Sequence, residues 1–247
     1  MQQHRPQVVL PGDSLPVYEN KLKLGPGLIQ DEDQIIAVKG GVLKHQLAGN
    51  KYWIESNQRR YVPATGDPVI GVITQKSGEF FRVDIGAAHS ATLSHYAFEN
   101  ATKRYRPNHD VGTLLYCRVS LANKDMEPEL ECVNPANGRA GGFGELKDGQ
   151  LVKCSLGLAR RLLETETPIL KHLAENFTFE TAIGLNGRIW IKADTIKNTI
   201  RIINAIKDSE KYPESQSRRV VSNHLILSLP IMITWIRYSD QDKISDD

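Results

Sequence analysis

Residues 69–85 read VIGVITQKSGEFFRVDI, two apolar runs joined by a Lys-Ser-Gly turn. In the second run Phe81, Val83 and Ile85 fall on one face, and Phe80, Arg82 and Asp84 on the other. This period of two marks a strand with one buried and one solvated side. The first run, 69–74, is rich in β-branched residues suited to a pleated surface. Three further segments follow at 91–94, 114–121 and 129–133, with a short helical spacer expected over 95–100. In the fourth strand Leu115, Cys117, Val119 and Leu121 are expected inward, and Tyr116, Arg118 and Ser120 outward. Five short strands between turns predict an OB-type barrel over 63–135.

The segments on either side have different patterns. Residues 1–62 are expected to form an N-terminal β module, with strands at 34–38, 42–44, 52–55 and 60–62 and turns at VVLPGD (8–13) and GPG (25–27). The stretch 134–149, NPANGRAGGFGELKDG, carries five of the chain's 19 glycines, and 136–149 reads as a linker. Residues 150–222 then give a strand at 151–155, a helix at 156–164, and a second helix opened by Pro168. Strands at 177–185 and 188–193 flank Asn186-Gly187, a two-residue hairpin turn. A helix capped by Asp194 follows, with Ile196, Ile200, Ile203 and Ile206 on one face. The order β-α-α-β-β-α is that of a KH domain. The fold class is therefore multidomain, all-β plus α+β. A tail at 223–247 includes LILSLPIMITWIRY, which Pro230 interrupts and which is too short to span a bilayer.

At 247 residues, 40% apolar and 24% charged, the chain has the composition of a folded soluble protein. The start, MQQHRPQVVL, lacks the apolar run of a secretory leader, so a reducing compartment is expected. Cys117, Cys132 and Cys154 match neither a zinc spacing nor a paired disulfide framework and are expected to be buried thiols. Basic and acidic residues number eight and six in 1–62, seven and nine in 63–135, and sixteen and fourteen beyond. With no strongly basic domain, non-specific duplex binding is disfavoured and any cationic site must be local.

Several strings resemble one family in order along the chain: VVLPGD (8–13), FRVDIG (81–86), ATKRYRPN (101–108), ANKDMEPE (122–129), KDGQLVKCSLGLARRLL (147–163) and GLNGRIWIKA (184–193). Together they resemble the S1 and KH cap subunits of the eukaryotic RNA exosome, of the ribosomal RNA-processing protein 40 type. The resemblance covers roughly residues 7–210, and the tail departs from it. It implies a cap protein without catalytic residues or cofactors, seated on a ring of RNase PH-like subunits beside other S1/KH cap subunits. Such a protein guides single-stranded RNA into a channel for 3'-to-5' processing and degradation, and separate hydrolytic ribonucleases associate with the complex. It also implies residence in the nucleus and nucleolus and in the cytoplasm, with no membrane partner. Two alternatives stay open: an accessory S1/KH protein of an RNA nuclease or phosphorylase, and a purely structural scaffold.

The residues themselves suggest where RNA would bind. Lys103, Arg104, Tyr105 and Arg106 place three cations and an aromatic in the loop between the third and fourth barrel strands, a pattern suited to phosphates and a stacked base. Phe80, Arg82, His89 and Arg118 are further candidates on the outward side of the barrel. The KH-like domain is a poorer candidate. Its helix-helix joint, Glu164-Thr165-Glu166-Thr167, has no glycine and two carboxylates, whereas a phosphate-clamping GXXG loop presents bare backbone N–H groups. Gly184-Leu185-Asn186-Gly187 sits between two strands, so Gly184, Asn186 and Gly187 are read as structural. So are Trp190, packed in a core or domain interface, Gly12 in its turn, and Asp125 in a loop leading to an edge strand. Nothing in the pattern offers a nucleophile with a base, or carboxylates spaced for two metals.

Overall fold

The computed structural model describes residues 7–15, 22–46, 49–123, 125–164, 167–212 and 216–226. Most of the apolar tail and the middle of the 164–167 joint lie outside these residues. The chain forms two compact units, 1–61 and 62–247. The first has seven strands: β1 (Val8–Val9), β2 (Ser14–Leu15), β3 (Lys23–Leu24), β4 (Leu28–Asp31), β5 (Gln34–Ala37), β6 (Gly41–Gln46) and β7 (Lys51–Glu55). They make two sheets, ordered β1-β6-β7-β3 and β2-β5-β4, around Val9, Leu15, Leu28, Ile35, Ala37 and Ile54. The strand expected over 60–62 does not form, because the chain there has left both sheets.

The second unit opens with β8 (Pro68–Lys76), β9 (Phe80–Asp84), β10 (Ala91–Phe98), β11 (Leu114–Leu121) and β12 (Glu129–Cys132). They pair in the order β12-β10-β9-β8-β11, and β11 pairs back to β12, which closes a five-stranded barrel. The alternation expected from the sequence fills its interior: Phe81, Val83, Ile85, Leu93, Leu115, Cys117 and Val119 are fully buried. Three details differ from expectation. The helical spacer over 95–100 is instead the second half of β10, where His95 points inward against Phe81 and Tyr96 outward. Leu121, at the end of β11, is exposed. And β12 is no edge strand, since it bonds to β10 on one side and β11 on the other.

The glycine-rich linker is partly structured. Within it β13 (Gly144–Glu145) pairs with β11, and the Leu146 N–H donates to the Leu114 carbonyl at 3.0 Å. Then come β14 (Gln150–Lys153), α1 (Leu156–Leu163), α2 (Pro168–Ala174), β15 (Phe179–Gly184), β16 (Arg188–Ala193), α3 (Ile196–Ser209) and α4 (Ser217–Ile226). The sheet order is β14-β16-β15, and the helices bury Leu158, Leu162, Leu173, Ile202, Ile206 and Val220 against it and one another. Thr195, not Asp194, caps α3, its hydroxyl accepting the Asn198 N–H at 3.2 Å. Of the four isoleucines expected on one face of that helix, Ile203 and Ile206 are buried, whereas Ile196 and Ile200 at its start are exposed. Helix α4 continues past Ser222 into the tail. Of the three free thiols, Cys117 and Cys132 are buried and Cys154 half-buried. No helix among the described residues is long and apolar enough to cross a membrane.

Candidate nucleic-acid interface

The closed barrel leaves one outward surface across β9 and β10. Phe80 and Ser94 are direct partners in the β9–β10 ladder, and Arg82 pairs with Thr92. Tyr96, two residues beyond Ser94, continues the same face and is 44% exposed. In OB folds the second and third strands, here β9 and β10, are the side that takes oligonucleotides.

The loop after β10 carries the cationic run. A tight turn holds it: the Thr102 N–H donates to the Tyr105 carbonyl at 2.9 Å, and the Tyr105 N–H to the Thr102 carbonyl at 3.2 Å. Further along, Lys76 Nζ donates to the Asn108 side chain and ties the loop to β8. Lys103, Arg104, Tyr105 and Arg106 are all exposed, Tyr105 at 76%. Arg106 reaches back to β10, donating from Nη2 to Tyr96 Oη at 2.8 Å, with its guanidinium carbon 5.2 Å from the ring centroid. Beneath the loop, the rings of Phe98 and His109 lie 5.2 Å apart. Burial pulls His109 below its usual value despite Glu145 at 3.5 Å.

The other sequence-predicted residues are distributed unevenly. Phe80 is half-buried on the open face. Arg82 and Arg118 point outward but meet carboxylates, Glu127 at 3.1 Å and Glu131 at 2.7 Å, so their charge is largely spent within the protein. His89 is exposed in the turn between β9 and β10. Tyr116, expected outward and free, is covered. Its hydroxyl donates to the Ile183 carbonyl at 3.2 Å and its ring tilts against Phe143 at 5.0 Å, because the KH-like domain packs on this part of the barrel. Gly12 lies in the turn between β1 and β2 with its N–H on the Ala37 carbonyl at 2.8 Å. Asp125 is exposed in the loop before β12, its N–H donating to Asn123 Oδ1 at 3.3 Å.

The 184–187 turn faces the barrel. Asn186 is 8% exposed; its amide Nδ2 donates to the carbonyls of Ile70 at 2.8 Å and Ile85 at 2.9 Å, while Oδ1 accepts the Ile70 N–H at 3.2 Å. Leu185 N–H donates to the Pro68 carbonyl at 2.8 Å. A Cβ on Gly184 would lie 2.7 Å from Ile70 N, so only glycine allows this approach. Gly187 has φ +72°, the left-handed conformation the turn requires. Next to it Arg188, 7% exposed, donates to the carbonyls of Ile70 at 3.2 Å and Asp84 at 2.6 Å, and to the Asp84 carboxylate at 2.6 Å. Burial opposes the Asp84 charge, but the bonds from Arg188 and the Gly86 N–H outweigh it and hold the carboxyl below its usual range. Trp190 completes this interface, packed with Ile70 and Ala182 and flanked by Leu114, Tyr116, Leu146 and Leu151. Two residues of this joint, Arg188 and Asp84, stood out by no local sign in the sequence. Their pairing spans 104 positions.

The KH-like domain presents no phosphate cradle among its described residues. At the 164–167 joint the Thr167 hydroxyl turns inward, within 2.9–3.2 Å of the carbonyls of Arg161, Leu162 and Glu164, while Glu164 faces solvent. No group of three His, Cys, Asp or Glu residues that could hold a metal occurs among the described residues.

Comparisons with known proteins agree along the chain. Residues 22–60 match the family model of the exosome complex exonuclease Rrp40 N-terminal domain, 61–144 that of the exosome complex component RRP40 S1 domain, and 149–197 that of a KH domain. The putative exosome complex component rrp40 of Dictyostelium discoideum is 44% identical over 85% of this chain and 89% of its own length. Human exosome complex component RRP40 is 43% identical over 80% of this chain and 74% of its own. A crystal structure described provisionally as an exosome complex RNA-binding protein superposes with a TM-score of 0.57 at 25% identity, covering 68% of this chain and 97% of the other.

Proposed function

The chain belongs to the RRP40 family of exosome complex components, and from that premise we propose that it is a non-catalytic, RNA-binding cap subunit of the exosome. The barrel and the KH-like domain act as one body that presents the β9–β10 face and the 103–106 loop to single-stranded RNA. RNA passing over this surface is guided toward 3'-to-5' processing and degradation by nucleases carried on other chains. The proposed neighbours are RNase PH-like ring subunits and the other S1/KH cap subunits, with hydrolytic ribonucleases associating indirectly. The proposed residence is the nucleus and nucleolus, and also the cytoplasm.

The observation that carries the RNA-binding role is the loop itself. Lys103 and Arg104 are exposed and make no ion pair among the described residues, beside an exposed Tyr105 and an open β-face. Unneutralised cations next to an aromatic are what a sequence-tolerant single-strand site needs. The 184–187 turn, spent on holding the barrel, takes no part in contacting RNA.

The test has three readouts. The tagged chain, purified with whatever accompanies it, is expected to bring ring and cap subunits. Crosslinking of labelled single-stranded RNA in that assembly is expected to mark 80–106 rather than 164–187. The purified chain alone, with magnesium, manganese or zinc, is expected to leave RNA intact. Crosslinks confined to the KH-like domain, or cleavage that tracks with this polypeptide, would overturn the reading.

A further inference from the structure

Tyr96 is on the face proposed to take RNA, yet its ring already has an occupant. The sheet register places it one outward position beyond Ser94, whose ladder partner is Phe80, so the two aromatics flank one patch. Nearly half of Tyr96 is exposed. Over that ring sits Arg106, held both by the 2.8 Å bond to the hydroxyl and by the cation–π contact at 5.2 Å. A guanidinium plane is flat, though smaller than a nucleobase, and is one of the surfaces on which bases themselves stack. Arg106 therefore occupies part of the surface that a base would use.

We propose that Tyr96 is a base-stacking residue partly occupied by Arg106 in the free protein, and that single-stranded RNA exchanges the guanidinium from the ring to a phosphate. The proposal rests on the single-strand reading of the barrel and deepens it. Three observations support the exchange. An exposed cation–π contact is weaker than a base stacked on an aromatic ring, so an arriving base wins the ring. The displaced guanidinium has no carboxylate partner among the described residues to capture it, unlike Arg82 and Arg118. And Arg106 is in the same short loop as Lys103 and Arg104, so a strand that engages those cations brings a phosphate within its reach. In the absence of RNA the contact shields an exposed aromatic and holds the loop close to the barrel.

The exchange is tested on the full chain by titrating a labelled oligouridylate at several salt concentrations, with thermal melting as a folding control. Tyr96→Phe keeps the ring but removes the hydroxyl that Arg106 bonds, so it is expected to tighten binding about two- to fivefold, the equivalent of one exposed contact, without changing the salt slope. Tyr96→Ala is expected to weaken binding by fivefold or more at an unchanged slope. Arg106→Ala is expected to lower the slope by about 0.7, one phosphate contact. If Tyr96→Phe binds no tighter than the parent, or Tyr96→Ala binds like it, while the parent binds normally, the exchange is wrong and the RNA-binding reading survives. If the parent itself fails to bind, both fall.

Discussion

Replacing Asn186 tests whether the turn at 184–187 is a fastener. Its amide makes three hydrogen bonds to barrel backbone atoms at 2.8, 2.9 and 3.2 Å, and it is 8% exposed. Asn186→Ala removes all three, taking the amide partner from the Ile85 carbonyl and the Ile70 N–H and leaving the Ile70 carbonyl to Arg188 alone at a buried joint. At a net ~0.5–1.5 kcal/mol each, the loss is roughly 2–4 kcal/mol. Asn186→Asp keeps the shape but aims an acceptor, where the amide donated, at the carbonyls of Ile70 and Ile85. Burial and the two carbonyls favour the protonated carboxyl against the opposing pull of Arg188, which shares the Ile70 carbonyl, so its folded pKa is expected above the unfolded value of about 3.9. The sign follows from linkage: a raised folded pKa leaves stability intact below the unfolded pKa and erodes it as pH rises toward the folded one. The erosion is at most about 1.4 kcal/mol per pH unit, so the gap to the parent widens by up to roughly 3 kcal/mol between about pH 5 and pH 7. Urea denaturation of parent and variants at matched pH measures it, since groups common to both cancel. A gap that does not change with pH, together with a near-neutral alanine variant, would refute a buried amide facing two carbonyls.

Other expectations are simpler. Lys103, Arg104 and Arg106 changed together to Ala are expected to flatten the salt dependence of single-stranded RNA binding by about 2 units of log-log slope in the assembled complex, with similar loss across sequences; an unchanged slope would return the run to a solvated loop. Tyr105→Ala is expected to cost about 1–3 kcal/mol of binding with little slope change. Trp190→Ala leaves a cavity between barrel and KH-like domain and is expected to destabilise the fold by about 3–5 kcal/mol, read by the denaturation midpoint; normal stability would mean the joint does not depend on it. His109 is held below its usual 6.5 by burial, so the unfolded chain takes up protons first and stability is lost as pH falls below 6.5. His109→Gln is expected to flatten that stretch of the stability profile, and an unaltered profile would remove His109 as its source.

Much of this architecture is legible in the sequence because its signals are local. The two-residue alternation through 80–85 and 115–119 reports on burial of single strands, and Asn186-Gly187 reports on a turn, whatever surrounds them. What escaped is decided at a distance. Tyr96 went unnoticed because 95–100 reads as a helical spacer, and only β10's ladders with β9 and β12 draw it into the sheet. Tyr116 has the alternation of an exposed residue, but a hairpin some seventy positions later covers it, its hydroxyl on the Ile183 carbonyl. Arg82 and Arg118 look like free cations until barrel closure brings Glu127 and Glu131 beside them. Helix α4 shows little amphipathic pattern, with Val220 and Val221 adjacent in sequence as its buried anchors.

The joint between barrel and KH-like domain also sets an order of assembly. The bonds from Asn186 and Arg188 span 101 to 118 positions, among the most distant contacts in the chain and the costliest in loop closure. The carbonyls they meet, on Ile70, Asp84 and Ile85, are fixed in place only once β8 and β9 have paired. The hairpin therefore finds its dock late, after the barrel exists, and the barrel has the advantage of leaving the ribosome first. Until the hairpin docks, Trp190, Tyr116 and Leu114 lack the packing partners they have in the folded protein. Substitutions along this joint are therefore expected to act twice, lowering the stability of the finished protein and slowing the docking that completes it.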